Sequence, residues 1–370
     1  MRAGFHTISM IALLLVFADS GMTDEQRCSS DANPPASDAT HVPGEILIAA
    51  KGEEILCVQE TGLANLEQPT ALTRHHALRI ASLTKQFTAV GILKLVETGQ
   101  LSLDKSLTEI LPDIPQQWRN ITVRQLLSHT SGLTGNMTPV FSHIADDLAP
   151  NELVALFFDI PLAAQPGQVW QYSNLNYWIL GLVIETISKR SYQDYIDDEV
   201  LNPAGLSKTR YGDNLAIISS RARGYEIDAS GEITNARYFS SSIGYAAGGY
   251  VSSALDMVRW YAALGKGRII SSAILDLALT PVKTNDGVST GFGLGWYLDE
   301  INNQRVAYHG GSSIGFMSYV IWAPDQSIFS GVFRTWSDAS GEPASVARIM
   351  FNRALSKQNR GEQSCRKSTD

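Results

Sequence analysis

The sequence predicts an α/β protein in which strands from both ends of the chain build one layer and a helical stretch is inserted between them. Three observations carry this. Short apolar runs of strand type occur at 45–50 and 54–59, and again at 295–298, 305–309, 316–322 and 327–334. Between them, 101–237 has helical apolar periodicity, strongest in 123–127, 153–158 and 177–187 and punctuated by Pro150, Pro161, Pro166 and Pro203. Finally, 370 residues at 44% hydrophobic and 18% charged supply enough apolar surface for one large domain or two interleaved ones.

In chain order, Met1-Arg2, the apolar run 8–18 and Ala18-Asp19-Ser20 form a secretory-leader pattern over 1–20, cleaved after Ser20. The run is too short to span a bilayer, so no integral membrane segment is expected after leader removal. A linker follows over 21–43. Residues 44–355 form the expected folded unit, with an α/β part at about 44–100 and 245–355 and a helical part at about 101–244. The runs 45–50 and 54–59 read as a hairpin about Lys51-Gly52-Glu53, and 244–249 reads as a glycine-rich turn before a helix at 255–264. A last helix is expected at 343–355, then a frayed polar tail at 356–370. Three cysteines are too few for a disulfide framework; the expected pair is Cys28 with Cys365, leaving Cys57 within an apolar strand.

The stretch with the most chemistry in it is Ser82-Leu83-Thr84-Lys85. On a helix, positions three apart are neighbours, so hydroxyl and amine touch. Counting from Lys85 leads to Ala89, Ile92 and Val96, which puts the lysine on the apolar face, where desolvation favours its neutral, proton-accepting form. The same spacing recurs at Ser102-Lys105 and Ser364-Lys367, but no apolar helix follows either one.

Two further stretches carry candidate groups. Tyr172-Ser173-Asn174 precedes an apolar helix. It presents a phenol, a base if a nearby ammonium lowers its pKa, and an amide; a tyrosine anchoring a helix start with Asn as its cap is the other reading. His309-Gly310-Gly311-Ser312 ends a predicted strand, and its bare glycines suit a substrate backbone lying close, with the Ser312 N–H as an oxyanion donor. A plain hairpin turn is the alternative there.

Other chemistries are disfavoured. A net charge of −8 with no Lys/Arg block excludes a nucleic-acid footprint. The seven histidines form no metal-binding spacing, and no phosphate-binding glycine loop occurs, so neither metal nor cofactor is expected. Gly311-Ser312-Ser313-Ile314-Gly315 matches the G-x-S-x-G elbow in letters, but that elbow needs a helix after it and a later histidine, and no His follows His309.

Taken together and in this order, Ser82-x-x-Lys85, Tyr172-x-Asn174 and His309-x-Gly311 resemble the signature of the serine β-lactamase and penicillin-binding protein superfamily. The Tyr-x-Asn form is similar to the branch with class C β-lactamases, D-alanyl-D-alanine carboxypeptidases and related esterases. Leu126 to Leu133 (LLSHTSGL), Ala246 to Ser252 (AAGGYVS) and Gly293 to Trp296 (GLGW) extend the likeness over about 44–355. The resemblance implies an antiparallel sheet flanked by helices, with a helical domain. It further implies an exported, periplasmic or secreted serine hydrolase that forms an acyl-enzyme on a D-amino-acid peptide, ester or β-lactam bond. Ser82 would be the nucleophile, Lys85 and Tyr172 would share its proton, and Asn174, His309, Gly311 and Ser312 would bind substrate. The partner would be a small molecule or peptide, and the oligomeric state is left open. A non-catalytic sensor or scaffold of the same fold is the alternative. The departure is His309-Gly310 where the signature has Lys-Thr.

Overall fold

The structure, a computed structural model, describes residues 41–338 and 343–367, the side chains of 338 and 358–367 excepted. The expected leader, most of the linker, Cys28 and the Cys365 side chain lie outside the described residues.

The centre is a six-stranded antiparallel sheet made of β1 (Glu45–Lys51), β2 (Glu54–Thr61), β3 (Tyr297–Ile301), β4 (Gln304–Ser313), β5 (Phe316–Ala323) and β6 (Ile328–Arg334). Its order is β3-β4-β5-β6-β1-β2, so the N-terminal hairpin docks on the last C-terminal strand, with Ile48 opposite Gly331. Successive side chains of a strand point to opposite faces, and β1 uses both. Ile46, Ile48 and Ala50 enter the main core, while Leu47 and Ala49 meet Val332, Ala347 and Phe351 of the second core under the terminal helix. A strand buried on both faces reads as a continuous apolar run, which is what ILIAA is.

Helix α1 (Thr84–Glu97) lies within the main core and is buried continuously from Thr84 to Leu93. The expectation of one apolar and one wet face is therefore corrected. Helices α2 (Val123–Leu127) and α3 (Asn174–Ser188) fall close to their expected positions. The expected turn at 244–249 is instead mostly helix: α4 (Ser241–Gly248), broken at Tyr245 by a φ of 35° and ψ of −130°. That break leaves carbonyls without intrahelical donors. Ala246 O accepts from Thr88 Oγ1 at 2.6 Å, and Ala247 O accepts from Lys85 Nζ at 2.8 Å. After α5 (Ala254–Gly265) and the remaining strands, α6 spans Pro343–Lys367, so the helix expected to stop at residue 355 continues into the presumed tail.

Two other expectations change. Cys57 on β2 is disulfide-bonded, so it is not the cysteine left over. His309 to Ser312 do not close a strand but lie inside β4, which continues to Ser313 and turns through Gly315 into β5. Strand, not helix, follows that turn, so the G-x-S-x-G elbow is absent.

Candidate active site

Ser82 occupies a single helical turn, Ala81–Leu83, that runs straight into α1. Ala81 holds a φ of 46°, a left-handed conformation that costs a non-glycine residue energy and bends the chain sharply into the Ser82 turn. Strand Tyr250–Ser252, just after α4, pairs with Leu78–Arg79 just before the turn, so this small sheet ties the segment that carries the Ala247 carbonyl to the one that carries the serine. On the other side β4 presses against the turn. A Cβ at Gly311 would stand 2.2 Å from Ile80 O and 2.4 Å from Ser318 Oγ, so only glycine lets the strand come this close.

Lys85 is fully buried one turn above Ser82, its Nζ 3.1 Å from Ser82 Oγ, 2.7 Å from Asn174 Oδ1 and 2.8 Å from Ala247 O. Burial pushes its pKa well below the usual 10.5. A neutral amine has two hydrogens and one lone pair. In that form the two carbonyl oxygens, which accept only, would take both hydrogens and leave the lone pair for the serine O–H. Asn174, expected to orient substrate, thus also positions the amine; its Nδ2 lies 3.5 Å from Met137 Sδ, which sets the amide orientation.

Tyr172 packs with its ring centroid 4.9 Å from Lys85 Nζ and lines the same cavity as Ser82. Its pKa moves opposite to expectation. Burial pushes the phenol up, and the nearby Ser82 hydroxyl only partly offsets that. With its pKa raised, Tyr172 rests protonated, as a proton donor. Asn174 is not the cap of α3; Ser173 occupies that position.

His129, which had no expected role, holds Tyr172 in place. Its carbonyl accepts the Gln171 N–H at 2.8 Å, its Nδ1 accepts the Ser173 N–H at 3.3 Å and lies 2.9 Å from Asn176 Nδ2, and its ring lies 4.4 Å from the Tyr172 ring. The chain on both sides of the tyrosine is thereby tied to one buried residue with a φ of 58°. Its only sequence signal is the LLSHTSGL stretch, in which nothing marks the histidine as a clamp.

His309 is 2% exposed, and its Nδ1 donates to Gly310 O at 2.6 Å. Burial above all lowers its pKa to about 3, so at neutral pH it is uncharged. An unfolded histidine keeps its ordinary 6.5, so between about pH 3 and 6.5 the unfolded chain binds the extra proton and stability rises with pH. Urea midpoints across this range should climb less steeply in His309→Gln; an unchanged slope would contradict the burial argument.

Ser82 and Ser312 line two cavities that meet at the serine. The smaller, about 180 Å³, has apolar walls that include Met137, Trp178, Phe239 and Ile243. The larger, about 510 Å³, is lined by Tyr172, His309, Gly311 and further tyrosines. Six of the seven expected site residues therefore line one cleft, and the seventh, Lys85, is buried behind Ser82. Among the described residues no cluster of metal-ligating side chains occurs, and no helix is long and apolar enough to cross a membrane.

A serine at the head of a buried helix, an amine one turn on, and an antiparallel sheet edge closing the cleft define the active-site serine class of α/β proteins. The family model described as Beta-lactamase matches residues 32–356, and the chain belongs to that family. Penicillin-binding protein 4* of Bacillus subtilis (strain 168) is 32% identical over 74% of this chain and 64% of its own. The chain thus spans less than two thirds of that relative. Among solved structures, the octameric penicillin-binding protein homologue from Pyrococcus abyssi is 28% identical with a TM-score of 0.72, covering 85% of this chain and 73% of its own. The D-amino acid amidase from Ochrobactrum anthropi SV3, complexed with D-phenylalanine, is 25% identical with a TM-score of 0.74, covering 86% of this chain and 95% of its own.

Proposed function

We propose that this protein is an exported serine hydrolase that cleaves the amide, peptide or ester bond of a D-amino-acid derivative through an acyl-enzyme on Ser82. The observation that carries the reading is the buried Lys85 amine, held within hydrogen-bond distance of Ser82 Oγ and of the two acceptors Asn174 Oδ1 and Ala247 O. Ser82 Oγ attacks the carbonyl carbon as its proton passes to Lys85 Nζ. The N–H groups of Ser82 and Ser312 stabilise the oxyanion. As the bond to the leaving nitrogen or oxygen breaks, the Tyr172 phenol supplies the proton, and the proton that Lys85 took from Ser82 replaces it on the phenol, which leaves the amine neutral again. Water then attacks the ester with the same groups reversed.

The D-amino acid amidase among the relatives supports the D-configured acyl group, and the leader-like residues 1–20 support export to the periplasm or beyond. A β-lactam is the weaker candidate, because neutral His309 and Gly310 stand where the signature's Lys-Thr would meet a carboxylate. The test is intact-mass analysis after treatment with a fluorescent fluorophosphonate. One adduct is expected, lost in Ser82→Ala; an adduct that survives the substitution overturns the assignment.

A further inference from the structure

The larger arm of the cleft has a feature that the acyl-transfer groups do not use. Starting at Tyr172, four tyrosine rings follow one another along it. Tyr172 and Tyr297 have centroids 6.5 Å apart at 8° between planes, Tyr297 and Tyr308 5.2 Å at 19°, and Tyr308 and Tyr319 6.0 Å at 24°. The last three sit on neighbouring strands β3, β4 and β5, with Tyr297 directly opposite Tyr308. Gly310 is paired with Tyr319, and a Cβ there would come within 3.2 Å of that ring, so the second glycine of the stretch leaves the ladder open to the cleft.

Among the described residues no lysine or arginine lines either arm. Lys85 is buried and committed to Ser82, Asn174 and Ala247. Arg348 is exposed and belongs to the next cavity along, beyond Tyr308 and Tyr319, where Asp299 accompanies it. The arm itself is neutral: His309 is held down to about 3, and burial pushes Tyr297 up to about 12. An unpaired carboxylate entering it would lose hydration without gaining a cation, whereas a flat ring finds stacking partners at ordinary aromatic spacing.

We propose that the tyrosine-lined arm is a leaving-group subsite selective for an uncharged group that carries a ring, and that it discriminates against a leaving group with a free carboxylate. The direction of the arm rests on the function proposed above, since Tyr172, the donor to the leaving atom, lines this cavity and not the smaller one. The substrate class is then a D-aminoacyl amide or ester whose leaving group ends neutral, not a peptide ending in a free D-amino acid.

The experiment measures protection of Ser82 from the fluorophosphonate by three dipeptides: D-alanyl-D-phenylalanine amide, its free acid, and D-alanyl-D-alanine amide. The phenylalanine amide should protect at a concentration lower than the free acid by roughly tenfold or more, and lower than the alanine amide by several-fold. Tyr308→Ala and Tyr319→Ala should each shrink the phenylalanine-over-alanine ratio, a specificity change that loss of stability alone would not produce. Equal protection by amide and acid, or protection by none of the three, overturns the proposal. A free acid that protects best and loses its advantage in Arg348→Gln overturns it as well, by placing the carboxylate on that arginine. Failure of the reagent to label Ser82 at all would instead sink the acyl-enzyme reading.

Discussion

Replacing Lys85 with methionine should slow acylation of Ser82 by about 100-fold to 10,000-fold, the range expected when a positioned general base is lost, while the protein still folds. Methionine fills most of the volume of the lysine stem. It leaves Asn174 Oδ1 and Ala247 O without their donor, at roughly 1–3 kcal/mol each, but it also removes the cost of keeping an amine out of water. The pH dependence follows from the sign of the shift. The folded amine has a pKa well below 10.5, so from that lowered value up to 10.5 the unfolded chain carries the proton and the folded one does not. Stability therefore rises with pH across that window. Acylation likewise rises with pH as the amine becomes neutral, and Lys85→Met should flatten both profiles. Stopped-flow labelling and urea titration at several pH values measure the two effects. A variant that acylates at the native rate would remove Lys85 from the mechanism.

Tyr172→Phe should separate substrates by their leaving groups. An amide nitrogen must be protonated as it departs, so loss of the phenol should lower kcat for amides by about 100-fold or more. A nitrophenolate leaves without help, so the corresponding ester should lose far less. The contrast follows from the raised phenol pKa: Tyr172 is a poor resting base but a ready donor, in contact with Ser82 and beside the tyrosine arm. The ring contacts with His129 and Tyr297 persist in phenylalanine, so the substitution isolates the hydroxyl. Equal losses on amide and ester would mean that Tyr172 acts in the attack step instead.

The Ser82-Lys85 pair was legible in the sequence because it is local: three residues of helix bring the groups together whatever surrounds them. The six-stranded sheet was legible for a related reason, since continuous and alternating apolar runs such as ILIAA on β1 state which faces are covered. The pKa of Tyr172 was not legible, because it depends on rings from 129, 297 and 309 that pack around it from distant segments. His309 to Ser312 looked like a turn because two glycines usually punctuate the chain, yet here they thin a strand so that it can press against Ile80 and leave room for Tyr319. The clamp at His129 was marked only by the LLSHTSGL stretch, which does not single it out, since two of its bonds run to backbone N–H groups that nearly every residue type possesses.

By itself the sequence determined the order of strands and helices, the family signature, and which hydroxyl sits beside which amine, all of which depend on spacing along one chain. Only the tertiary structure decided which groups carry protons and which charges the cleft lacks. Those depend on burial and on the nearest oxygen or ring. For Lys85 one such oxygen is a carbonyl 162 residues away, freed by a kink that no local preference announces.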